Sequence, residues 1–136
     1  MNAQRPDQGS ASIWALLIIA GAFTVLLGLV VDGGRLVDAC LASARAAGQA
    51  ARTAADALSG ASVRSGHDYV AAAQARQRGS DYLRAAGMHG TVSVHGATVR
   101  VTVNGTLRTG ILSVIGIGSL PIHESATATA ITEDTP

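Results

Sequence analysis

Histidine is the residue of this chain best suited to metal binding or acid–base chemistry, and its spacing indicates neither. The four histidines are His67, His89, His95 and His123. Zinc sites usually draw their ligands from close pairs, whereas these residues form no HxxxH pair and lack a cysteine or carboxylate at ligand spacing. His95 and His123 would meet only if they sat on adjacent strands. We expect no metal site, and we interpret the histidines as exposed strand and turn residues.

Other catalytic and cofactor-binding patterns are also missing from the sequence. No serine lies in a GxSxG or SxxK motif, and no general base can be identified. Gly33-Gly34 and Gly116-x-Gly118 lack the strand–glycine–helix context of a phosphate-binding loop. We therefore expect a chain that is not an enzyme, with no cofactor and no small-molecule substrate.

The single cysteine, Cys40, excludes an internal disulfide framework. Its surroundings (VDAC) fit a lipoprotein box poorly, because Asp38 is charged and the position lies far beyond the apolar run. A small buried apolar side chain is the simplest interpretation. An intermolecular disulfide is the alternative if this part of the chain lies in an oxidising compartment.

Size and charge limit the classes of partner. The chain has 136 residues and a formal net charge of +1, so no long-range field attracts nucleic acid. Aromatic residues make up only 3% of the chain, which argues against a surface on which bases stack. We expect no nucleic-acid partner. About 105 residues follow Val31, enough for one small domain.

The elements that would position any site begin with an apolar stretch, Ala11 to Val31, which holds 21 residues without a charge. A helix of that length spans roughly 31 Å, close to the hydrocarbon thickness of a bilayer. Trp14, near one end, suits the headgroup region. We predict a transmembrane helix over residues 11–31, preceded by a polar tail over residues 1–10.

Two alternatives fit this stretch less well. A cleaved secretory signal has a shorter apolar region, and the nearest small-x-small site, Ala42-Ser43-Ala44, lies well beyond the stretch. A buried core helix would need a larger domain around it. Charge does not decide the orientation, because Arg5 and Arg35 flank the stretch equally.

The helical pattern continues past the apolar stretch as a heptad seam of mostly small residues. The members of this seam are Val37, Cys40, Ala44, Ala47, Ala51, Ala54 and Leu58. We predict that the helix continues without a break over residues 32–59, outside the apolar stretch, and is weakened only at Gly33-Gly34. Small side chains let another backbone approach closely, and the partner is either the protein's own sheet or a neighbouring subunit.

The remaining residues, 60–136, predict a small helix-plus-sheet domain. Ser59–Gly66 is a turn-rich break, and a second helix follows over His67–Ala86. Alternating valines then predict two strands joined by a tight hairpin at His95-Gly96. A third strand, Leu120–Ile131, places alanines on its inner face. The predicted fold is α+β, with a long N-terminal helix, a second helix and a small three-stranded antiparallel sheet.

Ile111, Leu112 and Ile115 follow a helical spacing within a glycine-rich link before the third strand. They are either core residues beneath the sheet or an exposed patch on which a partner docks. Replacement of Leu112 by Asp would unfold the domain in the first case and would only abolish partner capture in the second.

Four motifs follow one another along nearly the whole chain. They are Gly9-Ser10 before the apolar stretch, VVDGGR at residues 30–35, ARAAGQAARTAADAL at residues 44–58 and LRTGILSVIGIGSLPIHESATATA at residues 107–130. In order and spacing they resemble the TadE/TadG-like pilus assembly proteins. The resemblance implies a pilin-like, single-pass membrane protein of tight-adherence (Flp-type) pili, with a cytoplasmic N-terminus and the sheet domain outside the cell membrane.

The same resemblance implies a pilus assembly component or a minor pilin that acts through helix–helix packing. Its partners would be membrane lipid and other pilin-like or assembly subunits, in a hetero- or homo-oligomer. Processed pilins of this class are cut after a glycine, which makes Gly9 the candidate processing site. Such pilins carry an acidic residue five positions into the mature chain, where this chain has Trp14. The alternative is a membrane-anchored scaffold or accessory subunit of another secretion or cell-envelope machine.

Overall fold

The computed structural model describes residues 8–65 and 68–131 of the chain. Two helices come first, α1 (Gln8–Ser65) and α2 (Asp68–Ala85). Three strands follow, β1 (His89–His95), β2 (Thr98–Arg108) and β3 (Ser119–Thr129), with a short 3-10 helix at Leu112–Ile115 between the last two. The predicted α+β fold, with a long N-terminal helix, a second helix and a three-stranded antiparallel sheet, is confirmed.

The chain folds as two compact units. One unit, called here the apolar unit, combines the chain up to Leu36 with Arg108–Leu120. The other, called the sheet unit, combines Val37–Leu107 with the chain from Pro121 onwards. The helix α1 contributes its first half to the apolar unit and its second half to the sheet unit.

The helix α1 is longer than its sequence pattern predicts. The predicted break at Ser59–Gly66 is wrong, because α1 continues to Ser65 and the expected boundary after residue 59 lies inside it. No proline interrupts this region, and one internal glycine such as Gly60 costs only about 1 kcal/mol relative to alanine. The Ser59 hydroxyl donates to the Ala55 carbonyl at 3.1 Å, so it stays within the helix rather than turning the chain.

The other helix ends differ from the prediction by smaller amounts. The helix α1 begins at Gln8, inside the segment 1–10 predicted as a tail, and residues 1–7 lie outside the described part of the chain. The helix α2 begins at Asp68, and His67 also lies outside the described residues. Arg84 in its last turn faces the negative end of the helix dipole.

The core of the sheet unit consists of alanines from the two helices and valines from the sheet. Its best-buried members are Ala47, Ala50, Ala51, Ala54, Ala55, Leu58, Ala71, Ala75, Leu83, Val99, Val101 and Val103. Small side chains allow close backbone approach at Gly79 of α2. A Cβ atom there would lie 3.3 Å from the Cβ of Ala54 and 3.1 Å from a methyl of Val92. Helix α2 therefore lies in contact with both α1 and β1 at this glycine.

The sheet has the order β1-β2-β3, with β1 and β2 antiparallel and His95 paired with Thr98. The predicted hairpin is confirmed: the connection is Gly96-Ala97, and Gly96 has a φ of 57°, which favours glycine. The third strand, expected from Leu120, begins at Ser119. Because β2 lies between the other two strands, His95 on β1 and His123 on β3 do not sit on adjacent strands. The suggestion that these two histidines could meet across adjacent strands is therefore wrong.

The helical part of the apolar unit exposes almost all of its large side chains. Among the described residues, α1 is the one helix long and apolar enough to cross a membrane. Its most apolar window has a mean hydropathy of 2.6, and only 6% of that window is buried. A core helix of a soluble domain buries its apolar side chains, whereas this segment exposes them, so by length and surface it could span a membrane.

Candidate functional site

The most distinctive polar contact of the chain is made by Asp32, the first charged residue after the apolar stretch. Its side chain is only 1% exposed. One carboxylate oxygen, Oδ1, accepts a hydrogen bond from the backbone N–H of Gly110 at 3.0 Å. The other, Oδ2, accepts one from the backbone N–H of Leu112 at 2.9 Å. We call this pair of bonds the Asp32 clamp.

The clamp explains how a carboxylate can be buried at this point. The N–H groups of Leu112 and Gly110 lower the pKa of the Asp32 carboxyl, because they bond to its charged form. Burial by itself would raise this pKa, but its effect is smaller than that of the hydrogen bonds, so the pKa is lowered. The guanidinium of Arg35 approaches Oδ1 to 3.8 Å and adds to the stabilisation of the charge. Asp32 is therefore ionised at neutral pH.

Gly28, one helical turn before Asp32, provides the second contact of the same helix face. A Cβ atom at this position would lie 2.8 Å from Cγ2 and 3.2 Å from Cβ of Ile111. It would also lie 3.3 Å from Cδ2 of Leu112. Only glycine lets the backbone of α1 come this close to the segment that Asp32 holds.

The segment held by the clamp, residues 109–118, is called here the apolar loop. Several of its backbone groups form hydrogen bonds within the loop. The N–H groups of Val114 and Ile117 donate to the carbonyls of Ile111 and Leu112, each at 3.1 Å. The N–H of Thr109 donates to the carbonyl of Gly118 at 3.2 Å and closes the loop at its base. Gly116 ends the 3-10 helix with a φ of 90°.

The three predicted docking residues occupy different environments in this loop. Leu112 is buried and Ile111 is half-buried, and both contact α1 at Gly28. Ile115 is exposed, together with Val114 and Ile117, which the sequence pattern did not single out. The set Ile111, Leu112 and Ile115 is thus divided between a packed side and an outward side of one loop.

Sequence reasoning did not identify Asp32 as a site residue. A signal was present: Asp32 is the first charge after 21 uncharged residues and is followed by Gly33-Gly34. The partners of its carboxylate are backbone N–H groups far along the chain. Because almost every residue has such a group, the residue types do not identify these partners.

The seam residues of α1 also divide into two groups. Ala47, Ala51, Ala54 and Leu58 are buried in the sheet unit. Cys40 is half-buried, whereas Val37 and Ala44 are exposed. The part of the seam from Ala47 to Leu58 therefore packs against the protein's own core. The part from Val37 to Ala44, called here the lower seam, is largely open to the surroundings. Gly9, the candidate processing site, lies in the first turn of α1.

Cys40 is set apart from the other seam residues by its chemistry. Burial raises the pKa of the Cys40 thiol, and the Glu124 carboxylate raises it further by accepting a hydrogen bond and by its negative charge. A thiol with a raised pKa holds less of the reactive thiolate at neutral pH. We therefore expect Cys40 to react more slowly with electrophiles than a cysteine with an ordinary pKa.

The described histidines lie apart from one another. Nδ1 of His123 lies 2.8 Å from Oδ1 of Asn104, an exposed side-chain hydrogen bond across β2 and β3. His89 and His95 are exposed at the two ends of β1. Within residues 8–65 and 68–131, no group of three or more His, Cys, Asp or Glu side chains could hold a metal ion.

Comparison of the chain with protein-family models, with curated proteins and with solved structures finds no match.

Proposed function

We propose that this chain is a single-pass membrane protein that serves a tight-adherence (Flp-type) pilus as an assembly component or minor pilin. In this proposal Ala11–Val31 crosses the cell membrane and the sheet unit is extracytoplasmic. The observation that carries the proposal is the change of surface along one unbroken helix. The first half of α1 exposes large apolar side chains, and the second half buries alanines in a folded core.

Hydrophobic burial is the physical reason for the membrane anchor. Ile18, Phe23 and Val30 each expose more than half of their surface. Removing apolar surface from water lowers the free energy by about 25 cal/mol per Å². A helix with such side chains on all sides is stable in lipid, where its backbone bonds are satisfied internally.

Helix packing is the proposed mode of action. The exposed seam residues Val37 and Ala44 lie on the part of α1 directly after the span. Small or short side chains at such positions let the backbone of another helix approach closely. We propose that pilin-like or assembly subunits pack here, and that the role is structural rather than enzymatic.

A scaffold or accessory subunit of another cell-envelope machine is the second candidate. It is favoured by the absence of an acidic residue within the sequence Ala11–Val31, where Trp14 stands at the fifth position after Gly9. A carboxylate inside a span is costly and therefore marks a function when it occurs. In this chain the first carboxylate after the stretch, Asp32, binds the chain's own loop.

The intact mass of the protein tests the proposal in two fractions of the native cells, sheared surface filaments and washed membranes. A filament-borne form that begins at Ser10 identifies a processed minor pilin, and Gly9→Leu should abolish that form while the matched Gly21→Leu retains it. A full-length form confined to membranes identifies a stationary assembly component. Absence from every pilus-forming complex would refute the pilus proposal and favour the second candidate.

A photo-crosslinker placed at Val37 tests the packing surface. We expect it to capture another pilin-like or assembly subunit, whereas the same crosslinker at exposed Asp56 should capture none. Equal capture at the two positions would contradict a specific interface at the lower seam.

A further inference from the structure

We propose that the apolar loop is a second membrane contact, in which Val114, Ile115 and Ile117 insert into the headgroup–acyl boundary of the lipid leaflet beside the end of the span. This inference rests on the proposed membrane anchor. The occupant of the exposed loop surface is lipid, and the Asp32 clamp holds the loop at the correct depth.

The surface of the loop is the first observation. Val114 is 79% exposed, Ile115 is 51% exposed and Ile117 is 42% exposed. Loops at a protein surface are normally polar, because they face water. Here no Asp, Glu, Lys or Arg occurs between Arg108 and Glu124. The exposed surface of the loop is therefore uncharged and dominated by these three apolar side chains, with Ser113 as an exposed polar residue among them.

The level of the loop along α1 is the second observation. The loop contacts α1 at Gly28 and Asp32, on either side of Val31, the last residue of the apolar stretch. Gly28 lies about 4.5 Å before that end along the helix axis. The loop is thus attached at the depth where the hydrocarbon region gives way to headgroups.

Continuity with the apolar surface of the helix argues for lipid as the occupant. Val30, in the same turn of α1 as the clamp, is 73% exposed, and Leu29 and Val31 are also exposed. The environment that covers these helix residues reaches the loop that is attached beside them. A lipid leaflet covers both surfaces without any further partner.

Backbone hydrogen bonding suits the loop to this environment. Non-helical backbone near the hydrocarbon region is tolerated only if its polar groups are satisfied. The 3-10 helix and the bond from Thr109 to Gly118 satisfy several groups within the loop. The Asp32 carboxylate accepts from two more N–H groups, those of Gly110 and Leu112. The exposed Arg35 beside it is placed to meet lipid phosphate.

Depth-dependent fluorescence quenching tests the inference with the full-length chain in phosphatidylcholine–phosphatidylglycerol vesicles. In a Cys40→Ser background, one cysteine is introduced at a time by Val114→Cys, Ile18→Cys or Thr127→Cys and labelled with an NBD fluorophore. Ile18 lies inside the span, about 4.5 Å along the helix axis from its midpoint at Gly21, and Thr127 is an exposed residue of β3. Quenchers are lipids with a doxyl group near the headgroup end or near the chain end, and aqueous iodide.

We expect the label at position 114 to shift to the blue and to lose fluorescence mainly to the shallow doxyl lipid. The label at 18 should lose fluorescence mainly to the deep doxyl lipid, and the label at 127 only to iodide. If 18 is quenched by lipid while 114 behaves like 127, the loop inference is wrong and the anchor stands. If 18 is not quenched by lipid, the membrane anchor itself is wrong. Protection of 114 from both iodide and lipid quenchers would assign the surface to a protein partner and overturn the inference.

Discussion

The Oδ2 atom of Asp32 accepts a hydrogen bond from the backbone N–H of Leu112 at 2.9 Å, although the two residues are 80 positions apart in sequence. With the matching bond from Gly110, it fastens the apolar loop to the helix at the end of the apolar stretch. These bonds fix the position of the loop and also stabilise the negative charge of the carboxylate, because hydrogen bonds to an ionised group are stronger than those between neutral groups.

Removal of the Asp32 charge should release the loop. An Asp32→Asn side chain retains only one carbonyl oxygen, so it can no longer accept both N–H bonds on separate oxygens. We expect amide hydrogen exchange at Gly110 and Leu112 to accelerate by about tenfold, as for the loss of a hydrogen bond to a charged group. The exposed Asp38→Asn is the control and should leave both exchange rates unchanged. Unaltered protection in Asp32→Asn would show that the clamp does not hold the loop.

The clamp should also respond to acid. The pKa of Asp32 is lowered from its ordinary value of 3.8, so the clamp contributes stability above that value and loses it as pH falls through the lower folded-state pKa. We expect the protection of the Leu112 amide, corrected for intrinsic exchange, to persist as pH falls to 3.8 and to decrease only below that value. The Asp32→Asn variant should show no such step, and a step near neutral pH in the native chain would contradict the prediction.

Gly28 should tolerate no side chain. The Cβ atom of Gly28→Ala would lie 2.8 Å from Cγ2 of Ile111, a β-branched residue with little freedom to move aside. We expect the loop to shift away from α1, with a change in the methyl NMR signals of Leu112. Gly21→Ala is a matched control in the same helix, since its Cβ would have no neighbour within 4 Å. Equal Leu112 spectra in the two variants would refute the close approach.

The buried and exposed parts of the seam should differ in their tolerance of volume. Ala54 is fully buried, and Ala54→Leu should lower the free energy of unfolding by about 1–3 kcal/mol through overpacking. Ala44→Leu makes the same change at an exposed seam position and should alter it by less than about 0.5 kcal/mol. Thermal unfolding of the full-length chain in detergent provides the measurement. A loss of stability at position 44 as large as at 54 would mean that the lower seam is also covered.

The reactivity of Cys40 should depend on Glu124. The pKa of the Cys40 thiol is raised partly by the Glu124 carboxylate, so Glu124→Gln lowers that pKa and increases the thiolate fraction at neutral pH. We expect faster alkylation of Cys40 by iodoacetamide in this variant. Ser125→Ala, at an exposed neighbouring position, serves as the control. If alkylation is no faster in Glu124→Gln, the carboxylate does not govern the thiol.

The order and type of the elements could be predicted because they follow from local patterns. The alternating valines at positions 99, 101 and 103 all face the core, as a period of two requires. The end of α1 could not be predicted, because the turn-forming residues after Ser59 are also tolerated in a helix without proline. The interpretation of His95 and His123 required the strand order, which local periodicity does not contain.

By itself, the sequence determined the fold class, the apolar stretch Ala11–Val31 and the small residues of the seam. Each depends on composition and on spacing of a few residues, which set helical or strand periodicity directly. Tertiary structure alone decided which seam residues are buried, that Gly28 must lack a side chain, and that Asp32 holds the apolar loop. These features depend on groups that the fold brings together from distant parts of the chain. Almost every residue has a backbone N–H, so the residue types do not show which N–H groups will meet a given carboxylate.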